Sequence, residues 1–255
     1  MAENEVRVRT SDGEMTTFVA HPDSEGPFPV AVLFMDGVGY REQIKENARR
    51  FAAAGYYVVA PDLFYRGGEG ITIDFSKLAA EGPEGPTAQR MRSIIGALTP
   101  ALVVDDIRAV LGAVASDPAA MAGPNVSVGY CMGARMALHA ASALPDRFVA
   151  AAGIHPAALV TDQPDSPHHD LAGVRGELYF AFAETDRTAT AENVGQFRDE
   201  LKRNGVRGEV ERLPGVTHGF AMADLPVYDR QAAERHFEKT LELWRRNLAP
   251  EPIPA

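Results

Sequence analysis

Residues 125–141 read NVSVGYCMGARMALHAA, and this stretch decides the fold that the sequence predicts. A short apolar run precedes Gly129, and a run of small residues that favours a helix follows Gly133. A strand, a tight turn and a helix in this order are typical of a nucleophile elbow, in which a G-x-S-x-G pattern exposes its central residue. Cys131 takes that central position and is the only cysteine in the chain. The pattern therefore predicts that Cys131 is a nucleophile.

Steric constraints explain why glycine occupies positions 129 and 133 of the motif. In an elbow, the strand before the turn and the helix after it approach too closely for larger side chains. The alternative interpretation is a free cysteine that packs as a small apolar residue and happens to lie in a Gly-x-Cys-x-Gly turn. The position of the only thiol at this turn favours the catalytic interpretation.

Short apolar runs alternate with helical patterns along the whole chain, which predicts an α/β fold with a mostly parallel, doubly wound sheet and helices on both faces. The predicted strands are residues 6–9, 16–20, 30–35, 56–60, 125–128, 148–154, 177–183 and 207–213, the first two forming an antiparallel hairpin. Helices are predicted at 43–54, 101–115 and 189–204, after the elbow and near the C-terminus. Residues 66–86 are rich in glycine and proline, which predicts a loop or an excursion rather than part of the regular core.

Composition excludes several classes of protein. The net charge of −10 disfavours a nucleic-acid partner, because phosphate binding needs a basic surface. A single cysteine excludes an intrachain disulfide, and no apolar stretch approaches the ~20 residues that span a bilayer. The first residues lack the pattern of a secretory signal. We expect a cytoplasmic protein with no membrane association; its oligomeric state is not predicted.

Two further residues complete a predicted catalytic triad. Asp186 and His218 each follow a predicted strand, in the order nucleophile, acid, base that this architecture uses. A thiol is mostly protonated at neutral pH, so His218 would act as its base while Asp186 orients the imidazole. Glu184, only two residues from Asp186, is the alternative acid.

An oxyanion needs preorganised backbone donors. The N–H of Met132 follows the nucleophile and is the expected first donor. The N–H of Gly37 is the predicted second donor, because residues 36–39 follow the apolar run at 30–35. The alternative for residues 36–39 is a plain turn that ends a strand.

Four motifs together carry a family resemblance. They are GYCMG at 129–133, PDLF at 61–64, Asp186, and HGF at 218–220. Taken in chain order, they resemble the dienelactone hydrolase family, from about residue 6 to residue 244. The resemblance implies an α/β-hydrolase fold and a Cys-Asp-His triad that acts on esters or lactones, with no cofactor. We expect residues 1–248 to form one such domain and residues 249–255 to be a frayed tail.

The resemblance also assigns a carboxylate that holds the resting cysteine neutral and releases it as thiolate when substrate enters. The matching residue is Asp36, where the best-known members carry glutamate. Met222 stands where dienelactone-specific members place an arginine for the substrate carboxylate. Arg90 and Arg92 lie in the region of the second such arginine, although a solvent-facing role is the alternative.

Tyr130 and His155 are further candidates for substrate contact, with core packing as the alternative for Tyr130. The cluster at 168–170, HHD, fits no zinc pattern, and no phosphate-binding loop is present in the sequence. We therefore expect a small-molecule ester or lactone substrate and neither a metal nor a nucleotide cofactor. The alternative functions are a broad carboxylesterase or thioesterase of the same family, or a non-catalytic binding protein on the same fold.

Overall fold

The computed structural model describes residues 1–164 and 166–248, so the predicted tail at 249–255 lies outside the described residues. Within the described part, eight strands form one sheet in the order β1-β2-β4-β3-β5-β6-β7-β8. The strands are β1 (Ala2–Arg9), β2 (Glu14–His21), β3 (Val30–Phe34), β4 (Tyr57–Pro61), β5 (Asn125–Tyr130), β6 (Phe148–Ile154), β7 (Glu177–Thr185) and β8 (Gly208–Thr217). The predicted α/β fold is confirmed.

The sheet is antiparallel at one edge and parallel elsewhere. β1 pairs with β2 as the predicted hairpin, and β2 pairs antiparallel with β4. From β4 to β8 every neighbouring pair is parallel. β3, β4 and β5 are buried at every position because helices cover both faces, which explains why these strands read as continuous apolar runs.

Seven α-helices connect and flank these strands in the described residues. They are α1 (Glu42–Ala53), α2 (Phe75–Glu81), α3 (Pro86–Gly96), α4 (Pro100–Val114), α5 (Met132–Ala143), α6 (Ala191–Arg203) and α7 (Arg230–Leu248). None of these helices is long and apolar enough to cross a membrane.

Residues 66–86, predicted as a loop or an excursion outside the regular core, contain the short helix α2, none of whose residues is buried. The Asp74 side chain accepts a hydrogen bond from the Lys77 N–H at 3.1 Å, which caps the start of the helix. Gly82 ends it with a positive φ of 76°. The glycines and prolines lie outside the FSKLAAE segment, which is itself composed mostly of residues that suit a helix.

The last strand is longer than predicted, and its extension ends directly before His218, a predicted site residue. The sequence predicts its end at residue 213 because Pro214 and Gly215 follow, but β8 continues to Thr217. Gly215 adopts a φ of 75°, and its N–H donates to the Glu184 carboxylate over 2.8 Å. The irregularity lets β8 resume pairing with β7, so the residue after Thr217 emerges beside the end of β7.

Candidate active site

Cys131 lies at the turn between β5 and α5, as the elbow motif predicts. Its φ of 53° is positive, a conformation that non-glycine residues rarely adopt and that commonly marks a functional turn. The Cys131 N–H donates to the Ile154 carbonyl over 3.0 Å, which fixes the turn against the end of β6. The half-buried thiol therefore sits at the carboxyl edge of the sheet.

Both flanking glycines are required by close backbone contacts. A Cβ atom at Gly129 would lie 2.7 Å from the Ala134 nitrogen and even closer to the Gly133 carbonyl. A Cβ atom at Gly133 would lie 2.5 Å from the carbonyl oxygen of Met35, at the end of β3. The elbow is thus packed directly against the loop that contains Gly37.

Asp186 and His218 are brought together by the register of β7 and β8. Thr185 and Thr217 face each other across the two strands, and the next residue of each strand belongs to the predicted triad. The His218 N–H donates to the Thr185 carbonyl over 3.1 Å. His218 Nδ1 donates to Asp186 Oδ2 over 2.5 Å. The imidazole is therefore oriented by a buried carboxylate.

The Asp186 carboxylate is itself fixed. Its Oδ1 accepts hydrogen bonds from the N–H of Thr188 at 2.7 Å and from the Thr188 hydroxyl at 2.8 Å. Burial raises the pKa of Asp186, but the hydrogen bond and charge of His218 outweigh burial, so that the pKa is lowered. Glu184, the alternative acid, instead accepts the Gly215 N–H.

Electrostatics link His218 to Cys131. Burial lowers the pKa of His218, whereas its interactions with Cys131 and with the Asp186 carboxylate raise it, with a net rise to about 10. A side-chain hydrogen bond with Cys131 contributes to this rise. The three predicted triad residues thus form one contiguous group.

The two predicted oxyanion donors lie at the same edge of the sheet. Met132 is the first residue of α5, where a helical N–H has no acceptor within its own helix. Gly37 is buried, and its N–H has no hydrogen-bond acceptor among the described residues. α3 covers the Gly37 loop, since a Cβ atom at Gly37 would lie 2.8 Å from Ile95 Cδ1.

Asp36, the predicted carboxylate for the thiol, has other partners. Its Oδ1 accepts from Arg41 at 2.6 Å and from the Val38 N–H at 3.0 Å, and its Oδ2 accepts from Arg41 at 3.0 Å. Arg41 also donates to Asp224 over 2.6 Å. In the described residues, no hydrogen bond joins Asp36 to Cys131.

Tyr130 and His155 are buried beneath the site. The His155 ring lies 5.1 Å from the His218 ring and 5.9 Å from the Tyr130 ring, measured between centroids. Both ring nitrogens of His155 are buried and have no partner in the described part of the chain. Burial, with the charges of His218 and His236, lowers the pKa of His155 well below its usual value, so His155 is neutral. Burial raises the pKa of Tyr130.

Met222, Arg90 and Arg92, the residues compared with the substrate-carboxylate arginines, have separate surroundings. Met222 is fully buried, and its sulfur accepts from the Asn47 amide at 3.7 Å. Arg92 is exposed and donates to the Pro83 carbonyl over 2.6 Å. Arg90 is exposed on α3.

The residues of the HHD cluster take separate partners. His168 Nδ1 lies 2.7 Å from the Ser166 hydroxyl, and Asp170 pairs with His139. Among residues 1–164 and 166–248, no group of three or more His, Cys, Asp or Glu side chains is placed to hold a metal ion.

Sequence reasoning missed Arg41, Asp224 and Thr188. Arg41 directly precedes α1, where a charged residue reads as an ordinary solvent-facing position. Asp224 lies six residues after His218 in a segment without regular secondary structure. Thr188 follows Asp186 at the spacing of an Asx turn, which is the one local signal that predicts such a contact.

The chain is similar to known proteins along nearly its whole length. The profile of the Dienelactone hydrolase family matches residues 15–248. A Synechocystis sp. protein named "Putative carboxymethylenebutenolidase" is 24% identical over 95% of this chain and 96% of its own. An Escherichia coli protein of the same name is 25% identical over 91% of this chain and 82% of its own. The crystal structure of a Klebsiella pneumoniae protein titled "Putative Dienelactone Hydrolase" has a TM-score of 0.83 at 20% identity, covers 96% of this chain and 98% of that chain, and shares the fold.

Proposed function

Because the chain belongs to the dienelactone hydrolase family, a family of hydrolases, we propose that it opens ester or lactone bonds through a thioester on Cys131. The observation that carries this proposal is the placement of Cys131 at a strained elbow beside His218, whose Nδ1 donates to the buried Asp186. Nucleophile, base and orienting acid are the parts that acyl transfer requires. A cytoplasmic location and a small-molecule substrate belong to the same proposal.

Acylation uses the thiolate directly. The Cys131 sulfur attacks the carbonyl carbon, and the negative charge moves to the carbonyl oxygen, where the N–H groups of Met132 and Gly37 receive it. As the intermediate collapses, the C–O bond to the leaving group breaks and a thioester remains. The proton on His218 Nε2 goes to the leaving alkoxide, so the histidine becomes neutral.

Deacylation reverses the proton transfer. Neutral His218 takes a proton from water as the water oxygen attacks the thioester carbon. The second intermediate expels the Cys131 thiolate, which again faces a protonated His218. A lactone leaves its alcohol tethered to the acyl group, so water must reach the thioester before the ring closes again.

A broader carboxylesterase or thioesterase is the second candidate. Met222 stands where dienelactone-specific members place an arginine, and its sulfur is buried against Asn47. The Arg92 guanidinium is committed to the Pro83 carbonyl. These contacts favour a substrate without a carboxylate. A non-catalytic binding protein is disfavoured, because it would not need a buried acid that orients His218.

The proposal is tested by steady-state hydrolysis of cis- and trans-dienelactone beside p-nitrophenyl acetate, with the wild type and Cys131→Ala. Turnover of dienelactone that the alanine variant lacks supports both the mechanism and the substrate class. Turnover of the activated ester alone supports the broader esterase. Activity that survives Cys131→Ala, or no activity on any of the esters, would sink the cysteine mechanism.

A further inference from the structure

The loop that follows β6 is bonded both to the elbow and to β7, the strand that leads to Asp186. The N–H of His155, the first residue of this loop, donates to the Ala181 carbonyl in β7 over 2.7 Å. The Ala157 N–H donates to the Cys131 carbonyl over 3.3 Å. Because the Cys131 N–H donates to the carbonyl at the end of β6, the backbone of the nucleophile is held on both sides by this one segment.

The same loop has a strained backbone. His155 has a φ of 37° and Ala158 a φ of 50°, in the left-handed region that non-glycine residues rarely adopt. The Ala158 N–H donates to the Thr188 carbonyl over 3.3 Å, and Thr188 holds Asp186 through its N–H and its hydroxyl. Such conformations persist where the surrounding structure over-determines them, and they cluster at active sites. The loop therefore joins the nucleophile to the acid at a place where the fold tolerates strain.

The His155 side chain packs against the base of the proposed triad. Its ring centroid lies 5.1 Å from that of His218, at an interplanar angle of 64°, and 5.3 Å from that of Phe220, at 80°. Both are edge-to-face contacts, which aromatic rings favour. The residue is 1% exposed, and neither of its ring nitrogens has a hydrogen-bond partner among the described residues. The His155 side chain therefore acts through the shape of its ring.

A second contact is needed to fix the plane of the His218 ring. The hydrogen bond from Nδ1 to Asp186 holds one atom of the imidazole, but χ2 of a histidine turns in a broad well, so one bond does not set the direction of Nε2. A ring packed edge-to-face restricts this rotation. Burial, with the charge of His218, lowers the pKa of His155 well below its usual value, so the packed ring is neutral and does not compete for the proton of His218.

We propose that His155 is a positioning residue: its ring holds the His218 imidazole in the plane that directs Nε2 at the Cys131 sulfur, while its backbone ties the end of β6 to β7. This inference rests on the proposed function and deepens it, because it assigns His155 to the support of the triad rather than to substrate contact. The nitrogen atoms of His155 take no part, so a ring of carbon atoms should serve in their place.

The test compares three variants by steady-state hydrolysis of p-nitrophenyl acetate and by proton NMR. His155→Ala removes the ring, His155→Phe keeps a ring without nitrogen, and His236→Ala is the matched control. His236 is also a buried imidazole, 3% exposed, and packs on Tyr130 and Phe220 at 5.7 Å and 6.3 Å between ring centroids. In the part of the chain that the structure describes, His236 makes no ring contact with His218. Its removal therefore leaves a comparable cavity without loss of the contact under test.

Proton NMR reports on the base without any substrate. The proton on His218 Nδ1, which is donated to Asp186 over 2.5 Å, should resonate far downfield, because a short bond to a carboxylate deshields it. The resonance is assigned by its absence from His218→Gln. It is visible only while the imidazole is held in place and its proton is shielded from exchange with water.

His155→Ala should lose this resonance and about 10- to 100-fold in kcat, with KM changed less than about threefold, because the ring acts on the geometry of the reaction and not on binding. His155→Phe should keep the resonance and recover kcat to within about threefold of wild type, since no hydrogen bond is lost. His236→Ala should keep both the resonance and kcat, although its midpoint of urea unfolding should fall about as far as that of His155→Ala.

An equal loss of kcat in the two alanine variants would overturn the proposal, because His155 would then act only as part of the core. A resonance that His155→Ala retains would show that His218 is held without this ring. A folded His155→Phe with kcat as low as that of His155→Ala would show that a nitrogen atom acts in the reaction. If His155→Ala does not fold, the resonance and kcat of His155→Phe decide.

Failure of the proposed function is a separate result. It is the survival of hydrolysis in Cys131→Ala, or its absence from wild type, whereas the His218 resonance is measured without turnover. A resonance that depends on the ring at position 155 in an inactive protein would therefore leave the packing account in place and remove only the reaction.

Discussion

His218 Nδ1 lies 2.5 Å from Asp186 Oδ2, and the two residues directly follow Thr217 and Thr185, which face each other in adjacent parallel strands. The dyad is therefore a product of strand register. Because the His218 N–H also donates to the Thr185 carbonyl, a slip of β8 would break the dyad and the sheet together.

Asp186→Asn should lower kcat/KM for an ester by about 10²- to 10⁴-fold, because the amide cannot stabilise the imidazolium or hold its tautomer. Glu184→Gln is the matched control, since Glu184 lies two residues away and accepts the Gly215 N–H instead. Steady-state kinetics of both variants decide which carboxylate is the acid. A larger loss in Glu184→Gln than in Asp186→Asn would reverse the assignment.

The pH dependence of kcat/KM should carry an alkaline limb near pH 10 for an alkyl ester. The pKa of His218 is raised to about 10, so the histidine keeps its proton through neutral pH and loses it only above that value. Above pH 10 the leaving alkoxide then lacks its acid, and the rate of acylation falls.

The control is p-nitrophenyl acetate, because its leaving group departs without a proton. The pH profile of kcat/KM for this ester should therefore show a weaker alkaline limb. Enzyme held at pH 10.5 and assayed at pH 8 reports any irreversible loss. Equal limbs for the two esters would contradict the role of His218 as the acid.

Gly133→Ala should destabilise the fold by about 1 to 3 kcal/mol, because the new Cβ would press on the carbonyls of Phe34 and Met35. Backbone there belongs to the end of β3 and cannot move aside as a flexible side chain does. Gly112→Ala is the control, since Gly112 lies in α4 with open space at its Cβ position. That variant should be more stable by about 0.5 to 1 kcal/mol. Urea unfolding measures the free energy of unfolding of both variants. Equal free energies of unfolding for Gly133→Ala and Gly112→Ala would refute the steric account.

Asp62→Asn should change how stability depends on pH. Burial raises the pKa of the folded Asp62 from 3.8 to about 6, against the hydrogen bond that its Oδ1 accepts from the Phe64 N–H. The folded state thus holds this proton more tightly than the unfolded state does. Protonated Asp62 therefore contributes to the free energy of unfolding below about pH 4, and this contribution is lost as the pH rises from about 4 to about 6. Asparagine retains the acceptor and removes the titration.

Unfolding free energies at pH 4 and pH 7 measure this effect. The free energy of unfolding of Asp62→Asn, taken relative to that of wild type, should be higher at pH 7 than at pH 4 by up to about 3 kcal/mol, because each unit of pKa corresponds to about 1.4 kcal/mol. A difference between variant and wild type that is the same at both pH values would show that Asp62 does not titrate in this range.

Much of the fold follows from local pattern. The apolar runs of β3 and β5 and the Gly-x-Cys-x-Gly turn predict a buried parallel sheet with an elbow, and the prediction for β6, residues 148–154, coincides with its bounds. α2 escaped prediction because the surrounding glycines and prolines obscured a short helix that Asp74 caps. The end of β8 was not predicted correctly, because a proline followed by a glycine, as at Pro214 and Gly215, normally ends a strand. In this structure, pairing with β7 resumes at Thr217.

The sequence by itself determined the layered α/β fold, the elbow at Cys131 and the order of Asp186 and His218, because apolar periodicity and the steric demands of glycine act over a few neighbouring residues. Only the tertiary structure decided that Asp36 is bound by Arg41 and that Arg41 reaches Asp224, 183 positions away along the chain. No local pattern encodes such a pair, because the partners meet only after the sheet has brought distant loops to one edge. Packing therefore decided which carboxylate of the site is neutralised by an arginine.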